Sequence, residues 1–110
     1  MVFTLVVHLH VREGKDVERK IHDKLIEASK MYMTYADVIG WHAMQDHADP
    51  CKWTIVERYK FSSGVHIHDA NPYFDAFGTY MGPLLDQPVD VRQCNELDTS
   101  EPVPCRLDGM

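Results

Sequence analysis

Residues 38–59 read VIGWHAMQDHADPCKWTIVERY. Two strand-like runs, Val38–Gln45 and Lys52–Tyr59, flank DHADPC, whose Asp and Pro residues are turn formers. In the second run Trp53, Ile55, Glu57 and Tyr59 alternate onto one face, as the two-residue period of a strand requires. The reading is two strands joined by a turn.

The flanking segments extend this pattern. Upstream, residues 2–11 form another strand candidate. Phe3, Leu5, Val7, Leu9 and Val11 share an apolar face, and Val2, Thr4, Val6, His8 and His10 share the other. From Lys15 the period becomes helical: Val17, Ile21, Leu25, Ala28 and Tyr32 recur on one side, with charged residues between them. Downstream, Ser62 and Ser63 offer N-caps for a short helix to about Asp69. Asn71-Pro72 then starts a second helix, with Asn as cap and Pro at the first helical position. Val89–Leu97 is a last strand, and residues 98–110 are expected to be a tail after a single domain over residues 1–97.

The order β-α-β-β-α-β predicts an α+β, ferredoxin-like domain: one antiparallel sheet with its helices on one face. Val2, Val6, Val56 and Met44 give the opposite face apolar residues too. In a chain this short, a second copy is the expected cover.

Composition excludes several classes. The chain has 110 residues, enough for one modest core. With 11 Lys+Arg against 17 Asp+Glu and no basic run, it is a poor binder of nucleic acid or anionic membranes. Its apolar runs are far shorter than the ~20 residues of a membrane span. The N-terminus has neither the basic start nor the cleavage site of a signal peptide. Cys51, Cys94 and Cys105 are odd in number and widely spaced, which argues against a disulfide framework or zinc knuckle and for a reduced, cytoplasmic setting.

Three segments together, VHLHVREGKDVE (7–18), VIGWHAMQDHADPCKWTIVERY (38–59) and ANPYFDAFGTYMGPLLDQPVDVRQCNEL (70–97), resemble the antibiotic biosynthesis monooxygenase domain family of dimeric α+β barrels. The likeness spans residues 2–97 and includes Glu57 closing the third strand, then Tyr59, then His68 near the end of a short helix. The NPYF and PLLDQPVDVRQCNEL wording looks most like fungal members. The resemblance implies a homodimer whose sheets close into a barrel, with an apolar pocket between sheet and helices in each subunit. Well-known members oxygenate aromatic polyketides such as anthrones with O₂ and no cofactor; others degrade haem.

Carried onto this chain, the resemblance implies His68 and Tyr73 as catalytic residues and Trp41, Trp53, Phe74 and Phe77 as substrate-binding residues. His would take the substrate proton, and a Tyr or Trp donor would hold the developing oxyanion. Against this stand plainer roles: Phe74 and Phe77 as core, Trp53 as core or dimer interface. His66 and His68 lie two apart on a helix, so only one can face a pocket. The haem branch uses an Asn, a Trp and an axial His where this chain has Val7, His68 and Gly78, so no haem or other cofactor is expected. A metal site at His8, His10 and His42 is a further reading from residue type alone, and none is expected. Cys51 is a weak nucleophile candidate with no orienting partner in view.

Two functions therefore stand. One is a cofactor-free monooxygenase acting with O₂ on a small apolar metabolite, either an anthrone-like polyketide or an oxylipin such as a jasmonate-like acid. The alternative is a non-oxidative cyclase, isomerase or ligand-binding protein of the same fold.

Overall fold

The computed structural model describes residues 1–104. Its strands are β1 (Phe3–His10), β2 (Val38–Gln45), β3 (Lys52–Tyr59) and β4 (Asp90–Asn95). Its helices are α1 (Lys15–Tyr32), α2 (Gly64–Ala70) and α3 (Pro72–Met81), followed by a 3₁₀ turn at Gly82–Leu84. The strands form one antiparallel sheet in the order β2-β3-β1-β4. This is the ferredoxin-like α+β arrangement that the alternation and helical spacing predict.

The core lies between one sheet face and the helices. Leu5, Val7 and Leu9 of β1 and Trp53, Ile55 and Tyr59 of β3 are buried against Ile21, Leu25, Ala28 and Tyr32 of α1. Each Val, Leu or Ile side chain among them contributes about 1.5–3 kcal/mol on burial. Before α1 the chain reverses at Gly14, whose φ of 132° lies where an L side chain is strained.

Asn71 caps α3 as expected, its Oδ1 accepting from Tyr73 N at 2.8 Å, with Pro72 at the first helical position. The expected serine caps of α2 do not form. Ser63 flanks the helix without a side-chain cap bond, and the amides of Gly64, Val65 and His66 instead bond the carbonyls of Phe61, Ser62 and Ser63. A tight 3₁₀-like entry thus satisfies the donors that the hydroxyls were expected to serve. At Gly64 an added Cβ would stand 3.1 Å from Tyr59 Cδ1, so the missing side chain lets α2 lie close over β3.

Among the described residues no helix covers the other sheet face. Across β2, β3 and β1 it presents His42, Val56 and Val6 in one row and Met44, Thr54 and His8 in the next. Arg58 and Glu96 close one end as a two-bond pair of 2.7 and 2.9 Å. His8 and His42 lie on strands separated by β3, and among the described residues no group of three or more His, Cys, Asp or Glu is placed to hold a metal ion. Cys51 and Cys94 are free. Burial pushes the Cys51 thiol up, with help from Asp49, which is the opposite of activation. Among the described residues no helix is long and apolar enough to cross a membrane. Of the expected tail, residues 105–110, with Cys105, lie outside the described residues.

Candidate active site

A cavity of about 910 Å³ opens between the sheet and the α2–α3 hairpin. That volume falls in the ~300–1,000 Å³ range of small-molecule sites. Leu5, Val7, Leu9, Ile55 and Val91 form its floor, and Phe74, Phe77 and Met81 its helical wall. The helices stop short of β4, whose Val91 and Gln93 stay exposed at the open side.

One row of the sheet carries the polar groups. Trp41, Glu57, Leu5 and Gln93 stand side by side on β2, β3, β1 and β4. Glu57 is only 5% exposed. Its Oε1 accepts a hydrogen bond from Tyr59 Oη at 2.6 Å and stands 3.4 Å from His68 Nε2. Burial pushes the Glu57 carboxyl above the usual carboxylate range, and the Tyr59 hydroxyl and His68 pull part of the way back.

His68 descends from α2 onto this row and is itself 5% exposed. Its ring stacks on Tyr32 with centroids 3.8 Å apart and meets Phe74 edge-on at 5.6 Å. Its Nδ1 faces Asp69 Oδ1 at 3.2 Å, so the two ring nitrogens see two different carboxylates. Tyr32 packs against Trp41 at 5.7 Å between ring centroids. Burial raises the Tyr32 hydroxyl well above its ordinary value, and Glu57 adds to the effect, so it stays a neutral donor.

Three buried polar atoms on these touching rings have no hydrogen-bond partner among the described residues: Tyr32 Oη, Trp41 Nε1 and His68 Nε2. Trp41 and His68 lie near enough to Glu57 to favour its charged form, yet neither completes a bond of good geometry. The misalignment decides, since hydrogen-bond strength falls steeply with it. Buried groups left unpaired cost about 1–3 kcal/mol each. Here all three belong to residues that line one cavity.

Of the residues expected at a pocket, Trp41, His68, Phe74 and Phe77 line this cavity. His66 is exposed. Two expectations need correction. Tyr73 is not among the lining residues; its hydroxyl donates to Glu27 Oε1 at 2.8 Å on the outer side of the α1–α3 contact. Its place at the start of α3 turns the ring toward α1 rather than toward the sheet. Trp53 lies at the far end of β3, where its Nε1 donates to Pro50 O at 3.1 Å. Glu57, Tyr32 and Asp69 were not among the expected site residues. The signal for Glu57 was present: it is the one charged residue on the face Trp53–Ile55–Glu57–Tyr59.

This geometry defines a class: ferredoxin-like α+β domains with a polar cluster at the floor of an apolar cavity between sheet and helices. No family model and no curated protein matches the chain. Solved structures do. Rv0793 from Mycobacterium tuberculosis superposes with a TM-score of 0.80 at 18% identity, over 92% of this chain and 100% of that one. A candidate antibiotic biosynthesis monooxygenase from Nitrosomonas europaea gives 0.80 at 13% identity, over 86% and 98%. PA3566 from Pseudomonas aeruginosa gives 0.78 at 18%, over 87% and 94%. At these identities the shared property is the fold. All three sources are bacteria, and the fungal likeness gains no support from them.

Proposed function

We propose that the chain is a cofactor-independent monooxygenase acting with O₂ on a small, apolar, enolisable molecule. The carrying observation is the set of three buried atoms without partners among the described residues, on Tyr32, Trp41 and His68, all of which line one apolar cavity. The fold shared with a structure named as an antibiotic biosynthesis monooxygenase supports the same reading.

Ground-state O₂ is a triplet and reacts poorly with closed-shell molecules, but an enolate can reduce it directly. Bound against Phe74 and Phe77, the substrate loses a C–H proton to His68 Nε2. Glu57, 3.4 Å away, stabilises the imidazolium that forms. Trp41 N–H and Tyr32 O–H donate to the enolate oxygen at the buried floor of the cavity. The enolate passes one electron to O₂, and the two radicals combine at carbon. The resulting peroxide takes the proton back and loses water. A CH₂ group and O₂ thus become C=O and H₂O, with the substrate as sole reductant. An anthrone-like polyketide and an oxylipin such as a jasmonate-like acid are the two substrate types considered.

A second reading keeps the same first step and omits oxygen, giving a cyclase or isomerase. It is favoured by one feature: the carboxyl, imidazole, phenol and indole groups at the floor suit handling a proton or an oxyanion, and none is particular to O₂. Labelling separates the two. With ¹⁸O₂ and a chelator present, the product carbonyl should carry ¹⁸O; an isomerised or cyclised product without label would establish the second reading.

Under the first reading the protein is a homodimer through the helix-free sheet face, residues 1–97 are the working domain and 98–110 a tail, and the cytoplasm is the expected location. No cofactor, metal, nucleic acid or membrane takes part.

A further inference from the structure

The charges around the cavity are all of one sign. Among the described lining residues Glu57, Asp69 and Asp75 are acidic, and none is Lys or Arg. Basic side chains on the neighbouring elements have partners of their own; Arg92, between the lining residues Val91 and Gln93 on β4, pairs with Asp90 at 3.4 Å. Lys24 Nζ pairs with Glu27 at 3.1 Å and lies over the Tyr80 ring at 4.5 Å. Arg58 is bound to Glu96 on the opposite sheet face, and Arg12 donates to Pro83 O at 3.1 Å.

We propose that the cavity selects by charge: it takes a neutral molecule that presents a carbonyl or phenol oxygen to Trp41 and Tyr32, and it rejects the same molecule bearing a carboxylate. Of the two substrate types above, this favours the anthrone-like one over the oxylipin acid. The inference rests on the binding site of the preceding section, but not on the reaction assigned to it.

The free polar atoms match a neutral group. An indole N–H is a single donor and a tyrosine hydroxyl one donor with spare acceptor capacity, which suits one carbonyl or phenol oxygen. A carboxylate needs several donors or a cation to offset its lost hydration, and none of the lining residues is a permanent cation. Carried to the floor, it would meet Glu57, a carboxyl whose upward shift already reports how poorly that floor holds negative charge. Held at the mouth, it would meet Asp69 and Asp75, both exposed. The enolate of the proposed reaction is a different case. It forms only as His68 gains a proton, so the site's net charge does not change. A substrate that arrives ionised brings a charge with no counter-ion.

Calorimetry with methyl 2-naphthylacetate and 2-naphthylacetate tests this, since the two share one apolar body and differ in charge. At neutral pH the ester should bind at least about tenfold more tightly than the acid. In the Asp75→Asn variant, which alters an exposed side chain that does not touch the Glu57–His68 pair, the ratio should shrink through tighter binding of the acid. Equal or tighter binding of the acid by the wild type, no binding of the ester, or an unchanged ratio in the variant overturns the proposal. Oxygen chemistry is a separate matter. An ester-selective site that never consumes O₂ contradicts only the monooxygenase reading, whereas oxygenation of a carboxylate substrate supports that reading and contradicts this selection.

Discussion

Glu57 and His68 meet at the floor of the cavity, Oε1 to Nε2 at 3.4 Å, although one comes from the middle of the sheet and the other from a two-turn helix. Each is buried, and each is flanked by a second group: Tyr59 donates to the carboxylate at 2.6 Å, and Asp69 stands 3.2 Å from the other imidazole nitrogen. A buried acid beside a buried imidazole is an arrangement for moving a proton. The rings around the pair decide what the proton can come from.

Two of those rings carry polar atoms that do nothing for the fold. Tyr32→Phe removes an unpartnered buried hydroxyl, so stability should stay level or rise by up to about 1 kcal/mol. Turnover should fall by ~10²–10³, the usual cost of a lost oxyanion donor. Trp41→Phe should show the same drop in rate with a larger loss of packing. Chemical denaturation beside steady-state kinetics measures both; unchanged turnover in both variants would remove the oxyanion role.

Glu57 gives the stability curve a slope of known sign. Its folded-state pKa lies above the ordinary value of 4.5, because burial disfavours the carboxylate. Between 4.5 and the raised value the folded protein binds more protons than the unfolded chain, so this contribution to stability is full at low pH and is lost as pH rises through that window. Glu96 acts oppositely. Arg58, then Thr4, hold it down to about 2, so its contribution is present above the ordinary value and lost on acidification. Urea midpoints for wild type and Glu57→Gln from pH 4 to pH 8 should diverge above the ordinary carboxylate value and run parallel once pH passes the raised one, the variant gaining relative to wild type in between. Curves parallel over the whole range would mean that burial does not raise the Glu57 carboxyl.

Tyr73→Phe should be nearly silent in catalysis. Its hydroxyl serves Glu27 outside the cavity, and an exposed bond of this kind is worth at most about 1 kcal/mol. The Glu27 carboxyl, held below its usual range first by Tyr73 and then by Lys24, should titrate higher in the variant. Carboxyl-detected NMR reads that change, and a large loss of turnover would return Tyr73 to the site.

The helix-free sheet face should bury itself against a second copy. Light scattering at micromolar concentration is expected to give twice the monomer mass. Val6→Glu with Val56→Glu places two like charges on neighbouring strands of that face and should yield monomer. A wild-type monomer would leave the face without its proposed partner.

Much of the fold was legible because its signals are local. Alternation over residues 52–59 sorted the β3 face, helical spacing sorted α1, and Asn71-Pro72 marked the start of α3. The site was legible only in part, because its decisive facts are orientations set between elements. Tyr32 read as one more apolar position on α1; that its hydroxyl would be left unpartnered depends on how α2 lays His68 against it. Tyr73 and Tyr32 are the same residue type on neighbouring helices, and only the packing of α3 on α1 sends one hydroxyl to Glu27 and leaves the other buried without a partner among the described residues. Ser62 and Ser63 carried a capping signal that the backbone satisfied by itself.

Oxygen consumption by the wild type and by His68→Ala, with anthrone as probe and a chelator present, tests the central claim most directly. The expected result is one O₂ consumed per anthrone converted to anthraquinone by the wild type, with a rate lower by roughly 10²–10⁴ in the variant. Equal rates in the two proteins, or no oxygen uptake above the buffer rate by the wild type, would contradict it.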